Sequence, residues 1–173
     1  MTNVQIYVGT YAKYNSGSLY GKWFKLRDYS NYQELLEAIR ELHKDEQDPE
    51  FMFQDYECPT IFDHLGLLSE CHISENIYEV LKQINNCVYS FEVLEAYCDS
   101  IGCYENIEEL IDKVSDSYQG EFSGDIEFTQ ELLEATGELS IDLPSYIHID
   151  WERTANDIMM DYASSNNHYF RLM

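Results

Sequence analysis

The charge of this 173-residue chain limits its possible folds most strongly, because 33 acidic residues stand against only 10 basic ones. The formal net charge of -23 makes like charges repel in any compact state and opposes folding. Even so, 45% of the residues are hydrophobic and 14% are aromatic, whereas disordered acidic chains lack such side chains. The composition therefore predicts a folded protein with a large surplus of exposed carboxylates.

The negative charge is distributed unevenly along the chain. Residues 1–44 contain six basic and four acidic residues, whereas residues 45–173 contain four basic and 29 acidic ones. Two stretches, 45–81 and 114–152, each carry ten carboxylates and no Lys or Arg. Nucleic acid and anionic membranes are excluded as partners, because binding phosphates requires clustered Lys and Arg. The pattern predicts a basic protein as the partner.

The spacing of apolar residues predicts an α+β fold made of three small units: an N-terminal α+β sheet unit at 1–60, a helical acidic middle at 61–103 and a C-terminal α+β acidic unit at 104–173. A turn at Asn15-Ser16-Gly17 indicates a hairpin, and Ser30 with Gln33 indicates a helix start. Strands are predicted near 4–10, 19–26, 51–56 and 145–149, and helices near 30–43, 77–84, 93–102, 106–114, 125–137 and 150–162.

One predicted helix carries a row of like charges. Glu127, Glu131, Glu134 and Glu138 recur every three or four residues, which places them on one helical face. Two like charges three or four residues apart destabilise a helix by a few tenths of a kcal/mol. An ordinary solvated helix would intersperse lysines among the glutamates. The total charge equals that of about 39 Å of duplex DNA, at one charge per ~1.7 Å. The row favours a DNA mimic, although an acidic surface that only keeps the protein soluble is an alternative consistent with the composition.

Sequence patterns typical of enzymes are missing. The five histidines are scattered, and the five cysteines lack C-x-x-C spacing, as expected for reduced thiols in the cytosol. The segment 45–50 resembles a calcium loop but lacks Gly at its sixth position. We predict no catalytic residue, no metal and no cofactor. With neither a signal peptide nor a membrane span, the expected location is the cytoplasm.

Three local patterns carry a resemblance to a known family. The first runs from Ile6 through Tyr14-Asn15-Ser16-Gly17-Ser18-Leu19 to Gly21-Lys22-Trp23, the second is Asp55-Tyr56-Glu57, and the third joins Tyr146 to Glu152 with Ala155 and Asp157. Together they resemble the ArdA antirestriction family over nearly the whole chain. The resemblance implies an elongated, curved homodimer whose carboxylates imitate the phosphates of bent duplex DNA and block type I restriction-modification enzymes. It also implies carriage by mobile genetic elements and action in the bacterial host cytoplasm.

We predict that the partner-binding surface is built from carboxylates acting collectively. These are Glu70, Glu75, Glu79, Glu92, Glu95, Asp99, Glu105, Glu108, Glu109, Asp112, Asp116, Glu127, Glu131, Glu134 and Glu138. Since two chains of this charge repel, the dimer contact is predicted in the charge-free segments 143–149 and 163–170, at Tyr146, Ile147, Ile149, Tyr169 and Phe170. The alternative functions are an acidic adaptor for another basic DNA-binding protein and a weak calcium-dependent or hydrolytic enzyme.

Overall fold

The computed structural model describes residues 4–104, 106–139, 146 and 148–172. The chain divides into two compact units, unit 1 with Met1–Phe91 and Tyr104–Glu108 and unit 2 with Glu92–Cys103 and Glu109–Met173. Both units combine helices with small antiparallel sheets, so the predicted α+β class is confirmed. The finer division at residues 60 and 103 stays a prediction. No described helix has the length and apolar character that crossing a membrane requires.

Unit 1 begins with an antiparallel sheet of order β2-β1-β3, formed by β1 (Gln5–Thr10), β2 (Lys22–Lys25) and β3 (Phe51–Glu57). The predicted hairpin is confirmed, since β1 pairs with β2 from Gln5↔Lys25 to Val8↔Lys22. Its connection also contains a short helix, α1 (Tyr11–Asn15), which sequence reasoning missed. Gly17 follows with φ of 83°, a left-handed conformation that favours glycine, and so ends this helix.

The second helix, α2 (Tyr32–Leu42), starts one residue later than predicted. Asn31, not Ser30, is the N-cap, and its side chain accepts a hydrogen bond from the Glu34 backbone N–H at 3.0 Å. The Glu34 carboxylate in turn accepts one from the Ser30 N–H at 2.7 Å, so the capping pair is shifted by one position. Leu35 and Ile39 are fully buried and supply the apolar face of α2 to the core.

The rest of unit 1 contains α3 (Ile61–His64), a two-stranded hairpin of β4 (Leu68–Ser69) and β5 (His72–Ile73), and α4 (Ile77–Asn86). The prediction of α4 is confirmed. The other three elements are two to four residues long, which is too short for a hydrophobic period to be visible in the sequence.

Unit 2 contains most of α5 (Phe91–Ser100) and α6 (Ile107–Ser117), followed by α7 (Asp125–Thr136) and α8 (Trp151–Ile158). These four helices were predicted, with Asp150 correctly placed as the cap of α8. Its sheet was missed: β6 (Tyr118–Glu121), β7 (Tyr162–Ser165) and β8 (His168–Arg171) pair in the order β6-β8-β7. The strand predicted at 145–149 is wrong at positions 146, 148 and 149, which are the ones that the structure describes. The chain at these positions forms no strand and leads directly into the cap of α8.

An aromatic cluster forms much of the core of unit 2. The Phe128 ring lies 4.6 Å from that of Tyr169, 4.9 Å from Tyr162 and 5.1 Å from Phe122. Phe170 is completely buried on β8. The prediction of a dimer contact at Tyr169 and Phe170 is therefore corrected: β8 is the central strand of its sheet, and both side chains are buried within their own unit, on opposite faces of the strand.

Candidate acidic interface

Helix α6 separates its acidic residues from its apolar ones. Glu109, Asp112 and Asp116 are exposed and follow one another at intervals of three and four residues, which places them on one face. Leu110 and Val114 are fully buried on the opposite face. Because the buried side chains fix the rotation of the helix, all three carboxylates point to solvent.

Helix α7 repeats this arrangement with Glu127, Glu131 and Glu134 exposed and Phe128 and Thr129 buried. Neither Glu131 nor Glu134 forms an ion pair with a Lys or Arg of the described chain. The helix therefore presents negative charge that its own unit leaves uncompensated.

The predicted fourth member of that row is corrected. Helix α7 ends at Thr136, and Gly137 adopts a left-handed conformation with φ of 73°. Glu138 is exposed but lies beyond this turn, outside the helical face. The row on α7 thus has three carboxylates.

Glu127 also has a structural role that sequence reasoning missed. Its carboxylate accepts hydrogen bonds from the Ser123 hydroxyl at 2.7 Å and from the Ser123 backbone N–H at 2.6 Å. These bonds hold the pKa of Glu127 below its usual range. The position in the first turn of α7 also suits a negative charge, since the helix dipole is positive there. Glu127 therefore stays ionised while it ties the first turn of α7 to Ser123, the residue before the N-cap Gly124.

The other predicted carboxylates are mostly at the surface. Thirteen of the 14 described candidates are exposed and Glu95 is half-buried, whereas Glu105 lies outside the described residues. Some have local partners: Glu70 accepts a hydrogen bond from the Tyr11 hydroxyl at 3.3 Å, and Glu108 accepts one from Gln83 at 2.9 Å. Glu75, Glu79, Glu92 and Asp99 complete the exposed set.

A separate polar cluster in unit 1 has the composition of a metal site. His43, Asp45 and Glu46 hold their ligand atoms within 4.8 Å of one another, the one such group in the described parts of the chain. The Lys13 ammonium, however, already lies 2.7 Å from Glu46, 2.9 Å from Asp45 and 3.2 Å from Nδ1 of His43. The position that a metal ion would take is filled by a lysine.

Protonation at this cluster follows from burial. His43 is completely buried, and this burial lowers the pKa of its imidazole. The neutral ring can then accept from Lys13 at Nδ1 and donate to the Val8 carbonyl, 3.4 Å from Nε2. Thr10 completes the cluster by donating to Glu46 at 2.7 Å. These contacts tie α1 to the end of α2 and give the cluster a structural role.

The fold and the exposed carboxylates define a class: a small acidic α+β protein whose helices present negative charge to solvent. A family model described as antirestriction protein (ArdA) matches residues 6–171, so the chain belongs to the ArdA antirestriction family. Members of this family are inhibitors rather than enzymes, and membership implies an interaction with restriction enzymes. Comparison with curated proteins found no match.

Proposed function

We propose that this protein inhibits type I restriction-modification enzymes by occupying the DNA groove of their recognition and methylation complex. The observation that carries the proposal is the exposure of 13 of the 14 described candidate carboxylates, with ordered rows on α6 and α7. The proposed place of action is the cytoplasm of a bacterial host, where such enzymes meet incoming DNA.

The charge density of α7 supports mimicry of a DNA strand. Its 12 residues span about 18 Å at ~1.5 Å per residue. One strand of B-DNA carries roughly five phosphates over that length, at ~3.4 Å each. Helix α7 carries four carboxylates and no basic residue over the same distance. An ordinary surface helix, with its interspersed lysines, would fall far short of this density.

Inhibition by such a surface needs no covalent chemistry. Arginines and lysines that line a DNA groove meet a folded set of anions, so the protein and the duplex compete by mass action. Because the carboxylates of α6 and α7 stand on helices held by a packed core, little ordering of them is needed on binding. The same surface would repel DNA, which fits a protein that replaces the nucleic acid.

Binding to the enzyme is expected to weaken steeply with salt. We expect the affinity to fall by at least ~10-fold between 50 and 500 mM salt, because many charge contacts are screened together. Titration calorimetry across a salt series measures this, with the enzyme's own duplex substrate as a parallel reference. An affinity that stays constant over this range would contradict binding through the carboxylates.

We further propose that the protein acts as a homodimer whose contact includes Tyr146 and Ile149. The Tyr146 side chain is 80% exposed and Ile149 is half-buried, whereas Ile147 lies outside the described residues. We expect Tyr146→Asp to shift the protein to monomers in analytical ultracentrifugation, and added salt to tighten the unaltered dimer by screening repulsion. Val88→Asp is the matched control, since Val88 is 90% exposed in unit 1. A monomeric parent protein, or a dimer indifferent to Tyr146→Asp, would contradict this contact.

A further inference from the structure

Helix α1 is held in unit 1 largely by polar contacts. None of its five residues is buried, so apolar packing contributes little to its position. The Tyr11 backbone N–H donates to the Glu50 carbonyl at 3.0 Å, and the Tyr11 hydroxyl donates to Glu70 at 3.3 Å. The remaining attachment described in the structure is the polar cluster of unit 1, formed by Lys13, His43, Asp45 and Glu46.

Lys13 can keep its place in this cluster only while the ring of His43 is neutral. The ammonium lies 3.2 Å from Nδ1 of His43. Since an ammonium can only donate, Nδ1 must accept, and the ring proton is on Nε2, 3.4 Å from the Val8 carbonyl. A protonated ring would turn a second N–H toward the ammonium and place two positive charges side by side.

The surroundings of His43 oppose this second positive charge. The ring is completely buried, and its burial lowers the pKa of the imidazole, with the charge of Lys13 adding to the effect. The Val8 carbonyl, Glu46 and Asp45 act in the opposite direction and offset burial only in part. The other groups around the ring are the aromatic side chains of Tyr20 and Phe51, at 5.8 and 6.2 Å, and the side chains of Arg40, Lys44 and Asp48, which line the adjoining cavity.

We propose that the polar cluster is a pH-sensitive latch, in which neutral His43 keeps Lys13 in place and α1 docked, and a proton taken up from solvent at Nδ1 displaces Lys13 and releases α1. The contact with Tyr20 would be lost at the same time, because the Tyr20 ring packs against His43 and lies 5.3 Å from the Lys13 ammonium. The latch goes beyond the proposed function, since the acidic rows on α6 and α7 take no part in it.

The latch stabilises the fold above the pKa of an ordinary histidine. The folded-state pKa of His43 lies below the ordinary value of 6.5, so the stability due to the neutral ring is full above pH 6.5 and is lost as the pH falls. Hydrogen bonds from Lys13 hold the pKa values of Asp45 and Glu46 below their ordinary values of 3.8 and 4.5. Their contribution is lost only below those values. Within the cluster, the range between pH 4.5 and 6.5 therefore belongs to His43.

The test is an NMR titration of the isotope-labelled full chain from pH 7.5 to 5.0, above the sequence pI of 4.2. We expect the His43 ring to protonate and the backbone order parameters of Ala12 and Tyr14 to fall with the same midpoint, from about 0.85 to about 0.6 or lower. Ile6, fully buried on β1, is the internal reference and should keep its value. A ring that stays neutral to pH 5.0, or α1 amides that stay ordered while the ring protonates, overturns the latch.

A pair of lysine variants tests the contact on which the latch depends. Lys13→Met removes the ammonium and leaves both carboxylates, so His43 should protonate at a higher pH than in the unaltered protein. Lys82→Met removes the same charge from an exposed position on α4 and should leave the midpoint unchanged. A midpoint that Lys13→Met fails to raise, or that Lys82→Met raises equally, also overturns the latch.

Discussion

Replacement of Glu109, Asp112, Glu131 and Glu134 by their amides in one variant is expected to lower affinity for the restriction enzyme by about 10- to 100-fold. Each exposed ionic contact contributes little alone, so a single replacement should change affinity only a few-fold. Glu127 is left intact because its hydrogen bonds with Ser123 hold the segment that leads into α7. The loss should shrink as salt rises, since the contacts removed are the ones that salt screens.

A charge-matched control separates the position of these carboxylates from their number. Glu37, Asp48, Glu50 and Asp55 are exposed in unit 1, and their replacement by amides changes the net charge by the same four units. We expect a distinctly smaller loss of affinity from this control, measured by calorimetry on variants whose circular dichroism matches the parent. Equal losses in the two variants would indicate a general effect of net charge rather than an arranged surface.

The largest effect on stability is expected from Phe128→Ala. Phe128 is 1% exposed and packs against Phe122, Tyr162 and Tyr169, so truncation leaves a cavity at the centre of unit 2. We expect a loss of about 3–5 kcal/mol in the free energy of unfolding, measured by urea denaturation. Since this residue also holds α7 in place, the affinity for the enzyme should fall as unit 2 unfolds.

Ile126→Ala provides the comparison on the same helix. Ile126 is 40% exposed, so its truncation removes fewer contacts. We expect it to lower the free energy of unfolding by well under half as much as Phe128→Ala does. Similar losses for both variants, or a change below ~1 kcal/mol for Phe128→Ala, would show that the aromatic cluster is not the centre of the core.

The longer helices could be predicted because their apolar residues repeat visibly. In α4, Ile77, Val80, Leu81 and Ile84 fall on one face, and the structure confirms this helix. The sheet of unit 2 could not be predicted in the same way. Its strands have four residues each, and β7 reads Tyr-Ala-Ser-Ser, which lacks the β-branched alternation of a typical strand. Pairing between Tyr118 and Phe170 also joins residues 52 positions apart, and local patterns do not reveal such contacts.

Exposure of the acidic residues was predictable because burial of an unpaired carboxylate costs too much free energy. The burial and contacts of individual residues were not predictable in the same way. The absence of charge around Tyr169 suggested a contact between subunits, yet the same absence fits a core strand, and the structure places this residue in the core. Ser123 and Glu127 are four residues apart, not the three of a capping box, so their hydrogen bonds have no such signal in the sequence. The contact of Lys13 with His43 depends on the tertiary fold and has no local pattern.

Competition at equilibrium tests the central claim most directly. A fluorescent duplex containing the recognition sequence is bound to the purified type I recognition and methylation complex, and the unlabelled protein is then added. If the carboxylates occupy the DNA groove, the duplex is fully displaced, and the protein concentration needed for half-displacement rises linearly with the duplex concentration. A ternary complex of enzyme, duplex and protein, or a midpoint independent of the duplex concentration, would contradict DNA mimicry.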